Sequence, residues 1–262
     1  MDFSPRLQIM TQPNISANSL VLAIDTATPV QSVALVRQQR VLFEAQAPSV
    51  HTEGPGLLAL VDAALRHTEL RIHDVDRFVV SRGPGAFSGL RVSMAMLKSF
   101  ALTLDRPLYS VSSLEALARD AMPAGHLVAA CIDARRGEIY TAFYRFQEGR
   151  PVAVTDELLL KPAELAAFAQ DTFPGEFVVC IGSAFPHYEK AVSAQNLCCR
   201  PAAPRAAILA QIVLDRFPTQ LPDVPIEALE PKYIRIDDFA LPKPFDFSTP
   251  ESQKSRKSNS TP

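Results

Sequence analysis

Two periods of apolar and polar residues alternate along the chain. Leu20-Val21-Leu22-Ala23-Ile24-Asp25 reads as a strand with a nearly continuous apolar face. Ser32 to Arg37 and Arg40 to Ala45 read as two further strands around the polar turn Arg37-Gln38-Gln39-Arg40, giving an antiparallel meander. The period then lengthens: Leu57, Leu58, Leu60, Val61, Ala64 and Leu65 recur at helical spacing. A strand at Phe78 to Val80 leads into Gly83-Pro84-Gly85, which opens a second helix running to about Leu104. Pro107 to Val111 reads as a strand, and Ser113 to Ala118 as a short helix with Ser112 or Ser113 as its N-cap. The first half is thus βββαβαβα.

After Pro123-Ala124-Gly125 the pattern restarts. Leu127 to Asp133 and Glu138 to Tyr144 are predicted strands around Ala134-Arg135-Arg136-Gly137, with a third at Val152 to Thr155. A helix near Pro162 to Gln170, a strand at Phe177 to Gly182 and an amphipathic helix at Ala206 to Phe217 follow. Meander, helix, strand, helix repeats the first half and implies an internal duplication of βββαβα units in an α/β fold. The expected division is an N-terminal extension at 1–19, an N lobe at 20–118, a C lobe at 119–240 whose last helix is free to pack back on the N lobe, and a tail at 241–262. The tail is polar and basic, a composition that predicts disorder.

Composition narrows the classes. With 47% hydrophobic residues in 262, the chain has material for a core, and its net charge of −2 exerts no overall pull on polyanions. No apolar run is long enough to span a bilayer, and the first nineteen residues do not read as a secretory signal. Cys131, Cys180, Cys198 and Cys199 have no C-x-x-C spacing, so a reducing, cytoplasmic compartment is the simpler expectation. The five histidines are dispersed and no H-E-x-x-H occurs, so no metal site is expected. No nucleophile–base pair can be assembled, which leaves the catalytic set empty and argues against a peptidase.

The candidate chemistry lies at the strand ends. Asp25-Thr26-Ala27-Thr28 has two readings: a carboxylate and hydroxyls that orient a phosphate-bound metal, or a capped turn. Gly83-Pro84-Gly85-Ala86-Phe87-Ser88-Gly89 at a strand-to-helix junction predicts a tight turn exposing N–H groups to an anion or another chain. Asp133 opens the second meander, but Arg135 and Arg136 leave only Gly137 for a backbone phosphate cradle. Asp25, Thr26, Asp133 and Gly137 therefore read as a vestigial phosphate site. The first two helices are apolar nearly all round, which predicts burial on more than one face, one against the sheet and one against a partner or a second lobe. Leu58, Val61, Leu65, Met94, Leu97 and Phe100 are the expected contacts. Arg135, Arg136, Arg91 and Lys98 are candidates for a local positive patch, with solvated charge as the alternative.

Taken in order, Leu22-Ala23-Ile24-Asp25-Thr26-Ala27-Thr28, the glycine turn through Leu90-Arg91, Val111-Ser112-Ser113-Leu114-Glu115-Ala116-Leu117-Ala118 and Asp133-Ala134-Arg135-Arg136-Gly137-Glu138-Ile139-Tyr140 resemble the TsaB (YeaZ) family. Pro231-Lys232-Tyr233-Ile234-Arg235 adds a weaker match. Ser93 stands where that family usually has a helix glycine. The resemblance implies a two-lobed actin-like, Hsp70-type ATPase fold. It implies a non-catalytic scaffold for threonylcarbamoyladenosine modification of tRNA, paired with a TsaD-like transferase through the N-lobe helices. A TsaE-like ATPase would join the assembly, and tRNA would meet the chain through the complex. The resemblance leaves open ATP or ADP at the heteromer interface and a homodimer when the chain is alone. The rival reading is an active Mg-ATP-dependent ATPase or small-molecule kinase, with Asp25 and Asp133 holding magnesium.

Overall fold

Two sheets with the same strand order organise the chain, whose computed structural model describes residues 16, 18–49, 56–121, 127–185, 187–192 and 196–235. The first repeat comprises β1 (Leu20–Asp25), β2 (Val30–Arg37), β3 (Arg40–Pro48), α1 (Leu57–His67), β4 (Arg77–Ser81), α2 (Phe87–Leu104), β5 (Leu108–Val111) and α3 (Ser113–Ala121). The second comprises β6 (Leu127–Arg135), β7 (Glu138–Gln147), β8 (Arg150–Ala153), β9 (Leu158–Leu160), α4 (Pro162–Thr172), β10 (Val178–Gly182), α5 (Glu189–Val192), β11 (Leu197–Pro201) and α6 (Ala206–Arg216). The orders β3-β2-β1-β4-β5 and β8-β7-β6-β10-β11 superpose repeat on repeat. In the second, the edge strand of the meander is split, with β8 and β9 pairing successive stretches of β7.

The chain therefore has the duplicated two-lobed α/β architecture, and its second half is more complete than the expected meander, helix, strand, helix. That expectation lacks β9, β11 and α5. β11 is a half-exposed edge strand of five residues, and α5 has four, too few for either period to show. The 123–125 boundary, the tail and most of the N-terminal extension lie outside the described residues.

Each sheet is covered on both faces, which explains the unbroken apolar strands. Leu20, Leu22 and Ile24 face α1 and α2, while Val21 and Ala23 face α6. In the second sheet Leu127, Ala129 and Cys131 pack with α4, and Val128, Ala130 and Ile132 with Leu114, Leu117 and Ala118 of α3. The last helix of each repeat thus covers the sheet of the other, across the 118/119 division drawn along the chain. These inner helices are joined by Arg119–Asp215 and Arg216–Glu115 ion pairs.

Candidate functional site: the interlobe cleft and the outer helix face

The end of β1 is closed rather than poised for a metal. Asp25 is fully buried. Its carboxylate accepts the Ala27 N–H at 3.0 Å and the Ser113 hydroxyl at 3.2 Å. Burial outweighs these bonds and the neighbouring Ser81 hydroxyl and pushes its pKa up to about 6. The Thr26 hydroxyl donates to Ser93 Oγ at 2.7 Å, and that of Thr28 to the Val30 carbonyl at 3.0 Å. Asp25 to Thr28 carries the hydrogen bonds that a capped turn requires.

The glycine turn serves the same closure. A Cβ on Gly85 would fall 2.2 Å from the Ala27 carbonyl oxygen, and one on Gly89 would fall 2.3 Å from that of Thr26. Glycine at both lets the start of α2 rest on the β1–β2 loop, and the Ala86 N–H donates to the Ala27 carbonyl at 2.7 Å. Of the N–H groups expected to meet an anion or another chain, that of Ala86 goes to the chain's own backbone, while the first turn of α2 lines the cavities beside it. Ser93, the departure from the family pattern, is buried on this inner side of α2 against Thr26, away from the outer face.

The equivalent loop of the second lobe stays open. Asp133 accepts the Arg135 N–H at 2.8 Å and the Tyr188 hydroxyl at 3.3 Å, with the Arg135 guanidinium 3.5 Å away. Arg135, Arg136 and Gly137 all adopt left-handed backbone, and around Gly137 there is open space. Between the loops lies a cavity of about 260 Å³. That is below the ~300–1,000 Å³ of typical small-molecule sites. Among the described residues no three potential metal ligands gather.

The segment Leu229 to Arg235 straps the cleft, a role its sequence separation from both walls concealed. The Lys232 N–H donates to the Arg82 carbonyl at 2.7 Å, and its ammonium lies 2.8 Å from Glu157. Arg91 stacks over Phe87, 3.9 Å from the ring centre, and donates to the Tyr233 hydroxyl. The i, i+4 spacing of Phe87 and Arg91 was the available signal for that stack. Arg235 donates to the Ala134 carbonyl and pairs with Glu138 on the far wall. Lys98 reaches the Glu227 carbonyl at 3.4 Å. Arg91 and Lys98, read as solvated charge or as part of a positive patch, hold the strap and the segment just before it.

The expected partner contacts separate into two classes. Leu58 is 60% exposed. Val61, Met94 and Leu97 are core residues beneath the helices, and Leu65 and Phe100 pack part-buried against that core. For Val61, Met94 and Leu97 the expectation is corrected: the sheet-facing side of each helix takes them. The outer side instead carries Leu58, Val92 at 55% and Leu102 at 58% exposed, together with Ala59 and Ala95. A cavity of about 360 Å³ beside Leu57, Ser88 and Val92 adjoins this stripe. No helix among the described residues is long and apolar enough to cross a membrane.

Residues 51–194 match the model of the family TsaD: tRNA N6-adenosine threonylcarbamoyltransferase. The chain is 31% identical to the tRNA threonylcarbamoyladenosine biosynthesis protein TsaB of Escherichia coli over 82% of its own length and 94% of the relative's. It is 33% identical to the Bacillus subtilis protein of that name, over 49% of this chain and only 56% of that relative. Among solved structures, YeaZ from Pseudomonas aeruginosa is similar with a TM-score of 0.68 and 30% identity, over 82% of this chain and all of that one. Fold, motif order and these likenesses agree, and the chain belongs to the TsaB (YeaZ) family.

Proposed function

We propose that this chain is a non-catalytic subunit in the biosynthesis of threonylcarbamoyladenosine in tRNA, one that pairs with and activates a TsaD-like threonylcarbamoyl transferase. The observation that carries the reading is the sealed carboxyl of Asp25. A fully buried carboxyl whose oxygens are taken by the Ala27 N–H and the Ser113 hydroxyl is poorly placed to hold magnesium. What the N lobe offers instead is an apolar stripe along α1 and α2, whose exposed leucines and valine suit helix-to-helix association. The same stripe would support a homodimer of the lone chain. The adjoining cavity is where ATP or ADP would sit at the heteromer boundary, and the TsaE-like ATPase and tRNA would join through the assembled complex.

Size-exclusion chromatography of mixed subunits tests this. Leu58→Asp with Val92→Asp should leave a folded protein, since both side chains are exposed, yet weaken pairing about a thousandfold if each removes a contact worth ~2 kcal/mol. Leu97→Asp should fail to fold, because it buries an unpaired carboxylate. Co-elution of the exposed double variant at unchanged affinity would overturn the surface. Calorimetric titration of the lone chain with Mg-ATP addresses the enzyme reading, which Asp25-dependent binding and turnover would restore.

A further inference from the structure

The second sheet carries a pair of thiols that no part of the cleft or helix face uses. β10 and β11 run parallel with Cys180 paired to Cys199 in register, so both side chains leave the same face of the sheet. Cys180 is fully buried beside Cys131, Leu165 and Ala169, and Cys199 packs on this cluster while keeping part of its surface exposed. Cys198, one residue earlier, projects from the opposite face. Neighbouring strands stand ~4.8 Å apart, inside the ~4.4–6.8 Å range of Cα separations that a disulfide bridges.

We infer that Cys180 and Cys199 form a dithiol oxidised by hydrogen peroxide, Cys199 attacking and Cys180 resolving, and that closure ties the edge strand β11 covalently to β10. The Cys199 thiolate attacks one peroxide oxygen, the O–O bond breaks, and the departing hydroxide takes a proton to leave as water. Cys199 is then a sulfenic acid. The Cys180 sulfur attacks the Cys199 sulfur, the S–O bond breaks, and the leaving oxygen takes the Cys180 proton as a second water. Two thiols and one peroxide thus yield one disulfide and two waters. The order of attack follows exposure and charge. The two neighbouring thiols shift one another in opposite senses, Cys199 toward its thiolate and Cys180 upward, and burial pushes Cys180 up further, while burial pushes Cys131 up to about 12 and leaves it inert.

The test treats the full chain with millimolar hydrogen peroxide and follows it by thiol titration and peptide mass mapping. Titratable thiols should fall from four to two, with a cross-link between the Cys180 peptide and the peptide holding Cys198 and Cys199. Those two residues share a tryptic peptide, so variants assign the bond: Cys198→Ser should keep the cross-link and Cys199→Ser should lose it. In the unmutated chain, amide exchange across residues 197–201 should slow on oxidation and recover with dithiothreitol, a readout that needs no variant to fold. Four titratable thiols after treatment, a sulfinic acid without a cross-link, or a cross-link that survives in Cys199→Ser would each overturn the pair.

Discussion

In the N-terminal repeat the turn that caps Asp25 is buried beneath α2, whereas in the C-terminal repeat the turn at Arg135 and Arg136 caps Asp133 in the same way but lies at the open cleft, in left-handed backbone. The strand order on either side is the same. The difference comes from what packs against each loop. Gly85 and Gly89 bring α2 into backbone contact with Ala27 and Thr26, while nothing lies within 4 Å of a Cβ built at Gly137. A duplicated fold therefore keeps its topology while one copy of an equivalent position becomes core and the other stays at the cleft. Secondary structure alone does not report which.

The exchange of inner helices gives the largest expected effect. Arg77 opens β4 and is fully buried, and its guanidinium donates to the carbonyls of Phe217 and Pro218 just past α6 and to that of Ser16. The strand in the equivalent place of the second repeat opens with Val178. Arg77→Met keeps the bulk but orphans three carbonyls, and should cost ~3–5 kcal/mol by urea denaturation. A loss below ~1 kcal/mol would show that α6 is held to the first sheet by its apolar face alone.

Asp25 comes next, with the opposite sign. Its folded pKa of about 6 lies above the ordinary 3.8. Between those values the folded chain holds a proton that the unfolded chain has released. Stability should therefore be greatest below pH 4 as far as this group is concerned, and decline as pH rises through 6. Asp25→Asn keeps the acceptor for Ala27 and removes the titration. It should stabilise the protein at pH 7.5 by at most ~3 kcal/mol and flatten the slope between pH 4 and 6. Asp133→Asn, at the open loop, should leave that slope in place. An unchanged slope in Asp25→Asn would assign the titration elsewhere.

How much of this could be read from residues alone varies with the physical signal. The central strands of both sheets are legible because burial on two faces leaves an unbroken apolar run, as in Leu20 to Ile24, whereas the short, half-exposed β9 and β11 carry no such run. The glycine turn was legible as a place, but glycine marks close approach without naming what approaches. At Gly85 and Gly89 the approaching group is the β1–β2 backbone. In α2 the run Val92, Met94, Ala95, Met96, Leu97 hides the facing side, since a helix apolar all round has no phase. Only the observed set Leu90, Ser93, Met94, Leu97, Ala101 restores the helical spacing. The strap at Lys232 to Arg235 meets its partners some hundred residues away, beyond any periodic signal.

The smallest expected effect sharpens the comparison of the two loops most directly. Glycine-to-alanine at a helical position ordinarily gains up to ~1 kcal/mol through the unfolded state. At Gly89 the added methyl would meet the Thr26 carbonyl oxygen at 2.3 Å, a backbone atom fixed by β1 and by the Thr26–Ser93 hydrogen bond. The helix start must then lift from the loop, so overpacking of ~1–3 kcal/mol should override the gain and leave a net loss. Gly137→Ala meets no neighbour, and its φ of +78° makes the cost one of conformation alone, ~1 kcal/mol. Chemical denaturation of the two variants should also separate them in kind. Opening the β1–β2 loop hydrates Asp25, so Gly89→Ala should lower the pH at which stability declines, whereas Gly137→Ala should leave it where it was. Equal losses with no change in pH dependence would mean that the closed loop is held by its own hydrogen bonds, and that contact with α2 follows from this closure rather than causing it.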